Sequence, residues 1–149
     1  MLDELDKRIL SELNRDARKS FRDLAKILGL AVGTISARIK RMEDAGLIKA
    51  YIPLVSTTKV GYDFRAIIAL RTTGGRSLDI AKKIAESSNV CGVYDVTGEF
   101  DIFIVGRFKN REHLNSFLKE IQVMDKVGRT NTFLVLQTMK EDPRISFDE

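Results

Sequence analysis

Two groups of residues in this chain have types and spacing suited to chemistry. The first is Gly33, Thr34, Ser36, Ala37, Arg38, Lys40 and Arg41, with Arg22 and Lys26 upstream. Small and hydroxylated side chains followed by cationic ones suit the edge of a duplex. The small residues permit close approach, and hydroxyls, Lys and Arg reach base edges and phosphates. The second group is Gly98-Glu99-Phe100-Asp101. A glycine turn exposes backbone amides that hold a carboxylate, and Glu99 and Asp101 meet an ammonium or cationic side chain. Together they suit a zwitterionic amino acid, although an ordinary acidic hairpin turn has the same composition. No Ser-His-Asp set presents itself. A single His (His113) and a single Cys (Cys91) exclude His/Cys metal clusters and an intrachain disulfide. Catalytic residues, metals and cofactors are therefore not expected. His113 reads as a surface histidine and Cys91 as a small buried apolar residue.

The first fifty residues supply the elements that would hold the first group. Leu2, Leu5, Ile9 and Leu13 recur at helical spacing up to about Arg15. Ser20 with Asp23 three residues later forms a capping-box variant opening a second helix, with Phe21, Leu24, Ala25 and Leu28 inward and Gly29 at its end. A short turn leads to a third helix over residues 32–45, with Ile35, Ile39 and Met42 inward and Gly46 placed as a left-handed terminator. Residues 15–49 hold nine basic and four acidic side chains, so this stretch carries +5 and the remainder −1 of the net +4. Helix, helix, tight turn and a third helix with a small, polar and basic outer face is the order of a helix-turn-helix. A plain three-helix bundle with a wet face shares the periodicity, and the basic block favours DNA.

Residues 47–62 read as an extended segment bent at Pro53, with a hinge at Ser56, Thr57, Thr58 and Gly61. The second half reads strand (64–72), break at Gly74-Gly75, helix capped by Ser77 (Ile80, Ala81, Ile84 and Ala85 inward), strand (90–97), turn, strand (102–108), helix capped by Asn110 (Leu114, Phe117, Leu118 and Ile121 inward) and strand (130–139). The stretch 141–149 reads as a polar, frayed tail. Gly74-Gly75-Arg76 fits no phosphate-loop pattern, and Arg71 and Arg76 suit a contact between subunits. This βαββαβ order predicts a ferredoxin-like antiparallel sheet with two helices on one face. Ile67, Val105 and Phe133 would then lie on the uncovered face and drive self-association. The fold class is α+β. The expected domains are 1–49 (helix-turn-helix), 50–62 (linker strand or hinge), 63–140 (ferredoxin-like) and 141–149 (tail). The longest apolar runs fall well short of the ~18 residues of a membrane span, and the acidic start is unlike a signal peptide, so a cytoplasmic location without a membrane partner is expected.

The segment GLAVGTISARIKRMEDAGLI (29–48) resembles the recognition segment of the Lrp/AsnC, or feast/famine, regulators. The opening LDELDKRILSELNRDARKSFRDLAKILGL is similar to that family's first two helices, and VYDVTGEFDIFI to its signature around the second hairpin turn. The resemblance spans both halves, the second being the family's RAM domain. It implies a sequence-specific DNA-binding transcriptional regulator that assembles as a homodimer and further, such as an octamer. It also implies an amino-acid effector near Gly98, Glu99, Phe100 and Asp101 and near Thr130, Asn131 and Thr132. One departure is Ala31, where the family usually places Ser as N-cap; Ala cannot accept the first-turn amide bond, which costs ~1 kcal/mol. Two alternatives stand beside this: an amino-acid sensor or co-assembling partner that does not bind DNA, and an enzyme like the haem-precursor decarboxylases that resemble the same two-domain family.

Overall fold

The computed structural model describes residues 2–75 and 77–147. They fall into two compact units. One contains the residues up to Leu54 together with those from Lys140 onward; the other is Val55–Met139. No helix among the described residues is long and apolar enough to cross a membrane.

The first unit is built on three helices: α1 (Glu4–Arg15), α2 (Phe21–Leu28) and α3 (Val32–Asp44). Each starts where local chemistry dictates. Asp3 caps α1 by accepting from the Asp6 amide, and the Asp6 carboxylate returns the bond to the Asp3 amide. Ser20 and Asp23 make the same reciprocal pair on α2. These boxes satisfy amides that a helix start otherwise leaves orphaned. At Ala31 the backbone is extended as a cap requires, but no side-chain bond is present. Replacing Ala31 with Ser is therefore expected to stabilise this unit by about 1 kcal/mol, read as a raised denaturation midpoint. Gly46 ends α3 with φ 68°, a conformation that disfavours any residue with a Cβ.

Ile9, Leu24, Ala25, Ile35, Ile39 and Met42 form the core between the three helices. Phe21, expected on that inner face, is 42% exposed instead. As the first residue of α2 it stands beyond the stripe that meets α1 and α3. The tail differs from the frayed expectation as well. The Asn14 side-chain amide donates to the Ile145 carbonyl at 2.9 Å. Phe147 lines a cavity of about 270 Å³ with Ile27 and Leu28 of α2 and polar side chains of α1.

Among the described residues no strand lies between α3 and the sheet. Residues 50–57 pair with nothing as a ladder, and a single 3-10 turn (Thr58–Val60) ends at Gly61. The expected linker strand has no partner strand within one chain, so Ile52, Leu54 and Val55 stand exposed.

In the second unit β1 (Phe64–Thr72), β2 (Val90–Asp95), β3 (Ile102–Phe108) and β4 (Val127–Leu134) form one antiparallel sheet in the order β2-β3-β1-β4. Helices α4 (Ser77–Ala85) and α5 (Arg111–Gln122) cover one face. Their Ile80, Ile84, Leu114, Phe117 and Ile121 pack on Ala66, Ile68, Leu70, Ile102, Ile104 and Phe108. This is the ferredoxin-like arrangement that the element order predicts. The opposite face has no helix. Pairing aligns Phe133, Ile67 and Val105 in a row across β4, β1 and β3.

Several expectations shift. Asn110 caps α5 as expected, but Ser77 is the first residue of α4 rather than its cap, and Arg76 lies outside the described residues. Ala85 is exposed because α4 meets the sheet core through Ile80, Ala81 and Ile84. The second strand stops at Asp95, two residues early. Cys91 is exposed, not buried: the register slips between Val90 and Gly92 on this edge strand and leaves Cys91 without a partner residue. The last strand runs 127–134 rather than 130–139. Lys126, at φ 69°, turns the chain into β4 three residues before the expected start, and pairing with β1 stops at Ala66–Leu134.

Candidate nucleic-acid interface

Helix α3 presents two opposite faces. Ile35, Ile39 and Met42 are buried, while Gly33, Thr34, Ala37 and Lys40 are exposed and Ser36 is half-buried. A Cβ built on Gly33 would meet nothing within 4 Å. The helix therefore carries a glycine that its own packing does not require. Arg22 and Lys26 of α2 are also exposed. Lys40 forms a surface pair with Asp44, at 3.2 Å.

The other two cations of the sequence-predicted set are not open charges. Arg38 is mostly covered, and its Nη1 donates to Asp3 Oδ2 at 2.6 Å and Asp6 Oδ1 at 2.9 Å. Arg41 Nη2 donates to Asp6 Oδ2. The α1 capping box is thus also the anchor for α3. The Arg38 guanidinium holds the Asp3 carboxyl down at about 2, from an ordinary 3.8, with the Asp6 amide adding to it. A carboxylate held low contributes stability that is complete above its unfolded value and is lost as pH falls through the folded one. Glu12 is lowered too, chiefly by its bond from Lys19 at 2.6 Å. The helical unit should accordingly lose thermal stability as pH falls from about 4 toward 2, and Asp3→Asn should flatten that dependence in circular-dichroism melts.

A residue that sequence reasoning missed also borders α3. The Tyr51 hydroxyl donates to Glu43 Oε1 at 2.9 Å, which fixes the start of the linker beside the end of the helix. Partial burial first, and then Glu43, push the Tyr51 phenol up to about 12. Only the aromatic character of Tyr51 marked it in the sequence.

The second candidate site lies in the sheet unit. Gly98 opens the turn at φ 121°. The Asp101 carboxylate does not project outward: Oδ2 accepts from the Thr72 amide at 2.6 Å and from the Thr72 hydroxyl at 3.1 Å. Asp101 thus ties the turn to the end of β1. Phe100 packs edge-on against Phe103, with centroids 6.1 Å apart. Glu99 remains exposed and faces Arg129 at 3.8 Å, so the turn and β4 are brought together through a cation that the sequence reading omitted. Its neighbours Thr130, Asn131 and Thr132 do not point one way. Thr130 and Thr132 pair with Leu70 and Ile68 on the helix-covered face, and Asn131 pairs with Ala69 on the open face. They lie within β4, not at its start, because the strand begins earlier than expected. His113 is taken up locally, its Nδ1 accepting from the Lys109 amide at 3.4 Å and its ring edge-on to Phe108.

Comparison with known proteins follows this division. Residues 2–49 match a winged helix-turn-helix DNA-binding family model, and residues 65–145 match the Lrp/AsnC ligand binding domain. An uncharacterised HTH-type transcriptional regulator of Pyrococcus abyssi is 45% identical, covering 97% of this chain and 99% of its own. The HTH-type transcriptional regulator FL11 of Pyrococcus furiosus is 36% identical, over 95% of this chain and 93% of its own. Among solved structures, E. coli AsnC superposes with a TM-score of 0.88 at 29% identity, covering 95% of this chain and 97% of its own. A feast or famine regulatory protein from M. tuberculosis, complexed with L-methionine, gives 0.89 at 25% identity, covering 98% and 99%.

Proposed function

This chain belongs to the Lrp/AsnC family of transcriptional regulators, and from that premise we propose which residues meet DNA, what the effector is and how the chain assembles. Residues 1–49 act as the DNA-binding domain, 50–62 as the linker and 63–140 as the effector and assembly domain. Helix α3 enters the major groove. Thr34, Ser36 and Lys40 read base edges, Gly33 and Ala37 allow the close approach, and Arg22, Lys26, Arg38, Lys40 and Arg41 meet phosphates. The observation that carries this reading is Gly33. It stands in an exposed helix face with open space where its Cβ would be. Nothing in the packing of the free protein calls for such a glycine, and it leaves room for a surface that comes close to it.

The experiment is to titrate the protein into labelled duplex by fluorescence anisotropy, first random sequence at low salt and then its own upstream DNA. Replacing Gly33 with Ala separates the two roles of the position. Thermal stability should rise by about 0.5–1 kcal/mol, while specific affinity falls because the methyl group meets the groove. A variant more stable and equally tight on DNA would remove α3 from the groove at that point.

The effector is an amino acid, and the chain is at least a homodimer. The ligand-binding domain match and the L-methionine complex of the M. tuberculosis relative support the first; the uncovered row Phe133-Ile67-Val105 supports the second. Of the turn residues, Gly98, Glu99 and Phe100 remain available, with Arg129 as the cation nearest the effector's carboxylate and Asn131 as a polar neighbour. A thermal-shift screen of the amino acids reads this directly, because a ligand that binds the native state raises the melting temperature. Asp101→Ala would disturb β1 itself, so Glu99→Gln is the variant that tests the pocket.

A further inference from the structure

Asp6 lies in the first turn of α1, where carboxylates are ordinarily solvated, yet it is fully buried at 0% exposure. A buried charge must be paired and hydrogen-bonded. Here the two oxygens serve three donors. Oδ1 takes Arg38 Nη1 at 2.9 Å, and Oδ2 takes Arg41 Nη2 at 2.5 Å and the Asp3 amide at 3.1 Å. Asp3 Oδ2 takes Arg38 Nη1 as well, at 2.6 Å. Two carboxylates of α1 therefore face two guanidiniums of α3, and the four charges sum to zero. One pair would suffice to dock α1 on α3. The second engages Arg41, whose side chain is 56% exposed and still reaches solvent.

We propose that Asp6 is a positioning residue for the DNA-facing surface, which with Asp3 cancels the charge of Arg38 and Arg41 and fixes the direction of their guanidinium groups. The inference rests on the reading of α3 as the DNA helix. A guanidinium has five N–H donors in a rigid fork, so an arginine held from one side keeps donors for a partner on the other. What it loses is net charge, and net charge is what displaces counterions from any duplex whatever its sequence. The arrangement leaves indiscriminate attraction to Arg22, Lys26 and Lys40 and turns the two held arginines into oriented donors.

The test compares full-length wild type, Asp6→Asn and Asp3→Asn, titrated into a random-sequence duplex across a series of potassium chloride concentrations. Asparagine keeps the shape and caps a helix as well as aspartate does; it removes the charge and replaces one accepting oxygen with an NH2 donor, so it also loosens the grip on a guanidinium. Both variants should bind random duplex more tightly at low salt. Their log–log salt slopes should steepen by up to about 0.9 for each guanidinium set free, with Asp6→Asn the larger effect. Folded variants with the wild-type slope would overturn the proposal and leave Asp6 a packing residue, since a packing role moves the melting temperature and not the slope. Circular dichroism establishes folding; if Asp6→Asn does not fold, Asp3→Asn decides alone, its side chain being half-exposed (49%). Failure of the wild type to bind any duplex at low salt is a different result, and it would remove the DNA reading itself.

Discussion

Alanine at Arg22, Lys26 and Lys40 together should weaken duplex binding roughly a hundredfold near ~0.1 M salt and flatten the salt slope by about 2 to 3. All three side chains are exposed, two on α2 and one on the outward face of α3. The surface pair of Lys40 with Asp44 leaves both groups largely in water, so it restrains Lys40 little. Each lost phosphate contact removes the release of about one condensed counterion, which is why affinity and slope fall together. The fold should not notice, because the core of this unit is formed by Ile9, Leu24, Ala25, Ile35, Ile39 and Met42. An unchanged melting temperature with a flattened slope in anisotropy titrations is the expected pair of results. An unchanged slope would mean that DNA lies elsewhere on the molecule. The same substitution at Arg38 and Arg41 would be harder to interpret, since it also strands the buried Asp6.

Signals legible in the sequence were the short-range ones. The Ser20–Asp23 box, the Asn110 cap, the helix end at Gly29 and the left-handed terminator Gly46 are chemistry within a few residues, and the structure places them as expected. Strands β1 and β3 have the expected bounds because they are central, with pairing on both sides to reinforce a β-rich apolar run. The edge strands were less legible. The ends and bulges of β2 and β4 are set by a partner far along the chain, as the slip at Cys91 and the early start at Val127 show. The candidate sites divide the same way. The inward and outward residues of α3 follow from periodicity alone. That Asp101 turns inward to Thr72, or that Asp6 takes up Arg38 and Arg41, depends on contacts 29 to 35 residues apart, for which local pattern holds no trace. The split of Thr130, Asn131 and Thr132 between two faces follows from the period of a strand, once the strand extends through all three.

Replacing Ile67 with Glu should have the largest effect on assembly. Ile67 is the middle of the row that runs from Phe133 through Val105, on the face that neither α4 nor α5 covers. In a dimer closed through this face the carboxylate would be buried without a partner, at a cost of several kcal/mol. A lone protomer would tolerate it, because position 67 is only half-buried there and lies on the face that no helix covers. The variant should therefore fold, with the melting behaviour of a monomer, and should sediment as a single chain, whereas wild type is expected to sediment as a dimer or larger. Its DNA affinity should fall by roughly two orders of magnitude, since two linked α3 helices bind with an effective concentration that one helix lacks. The loss should leave the salt slope per protomer unchanged, unlike the loss from removing Lys40. Wild-type sedimentation of the Ile67 variant would place the interface elsewhere, and the exposed linker residues Ile52, Leu54 and Val55 would then be the next apolar surface to test.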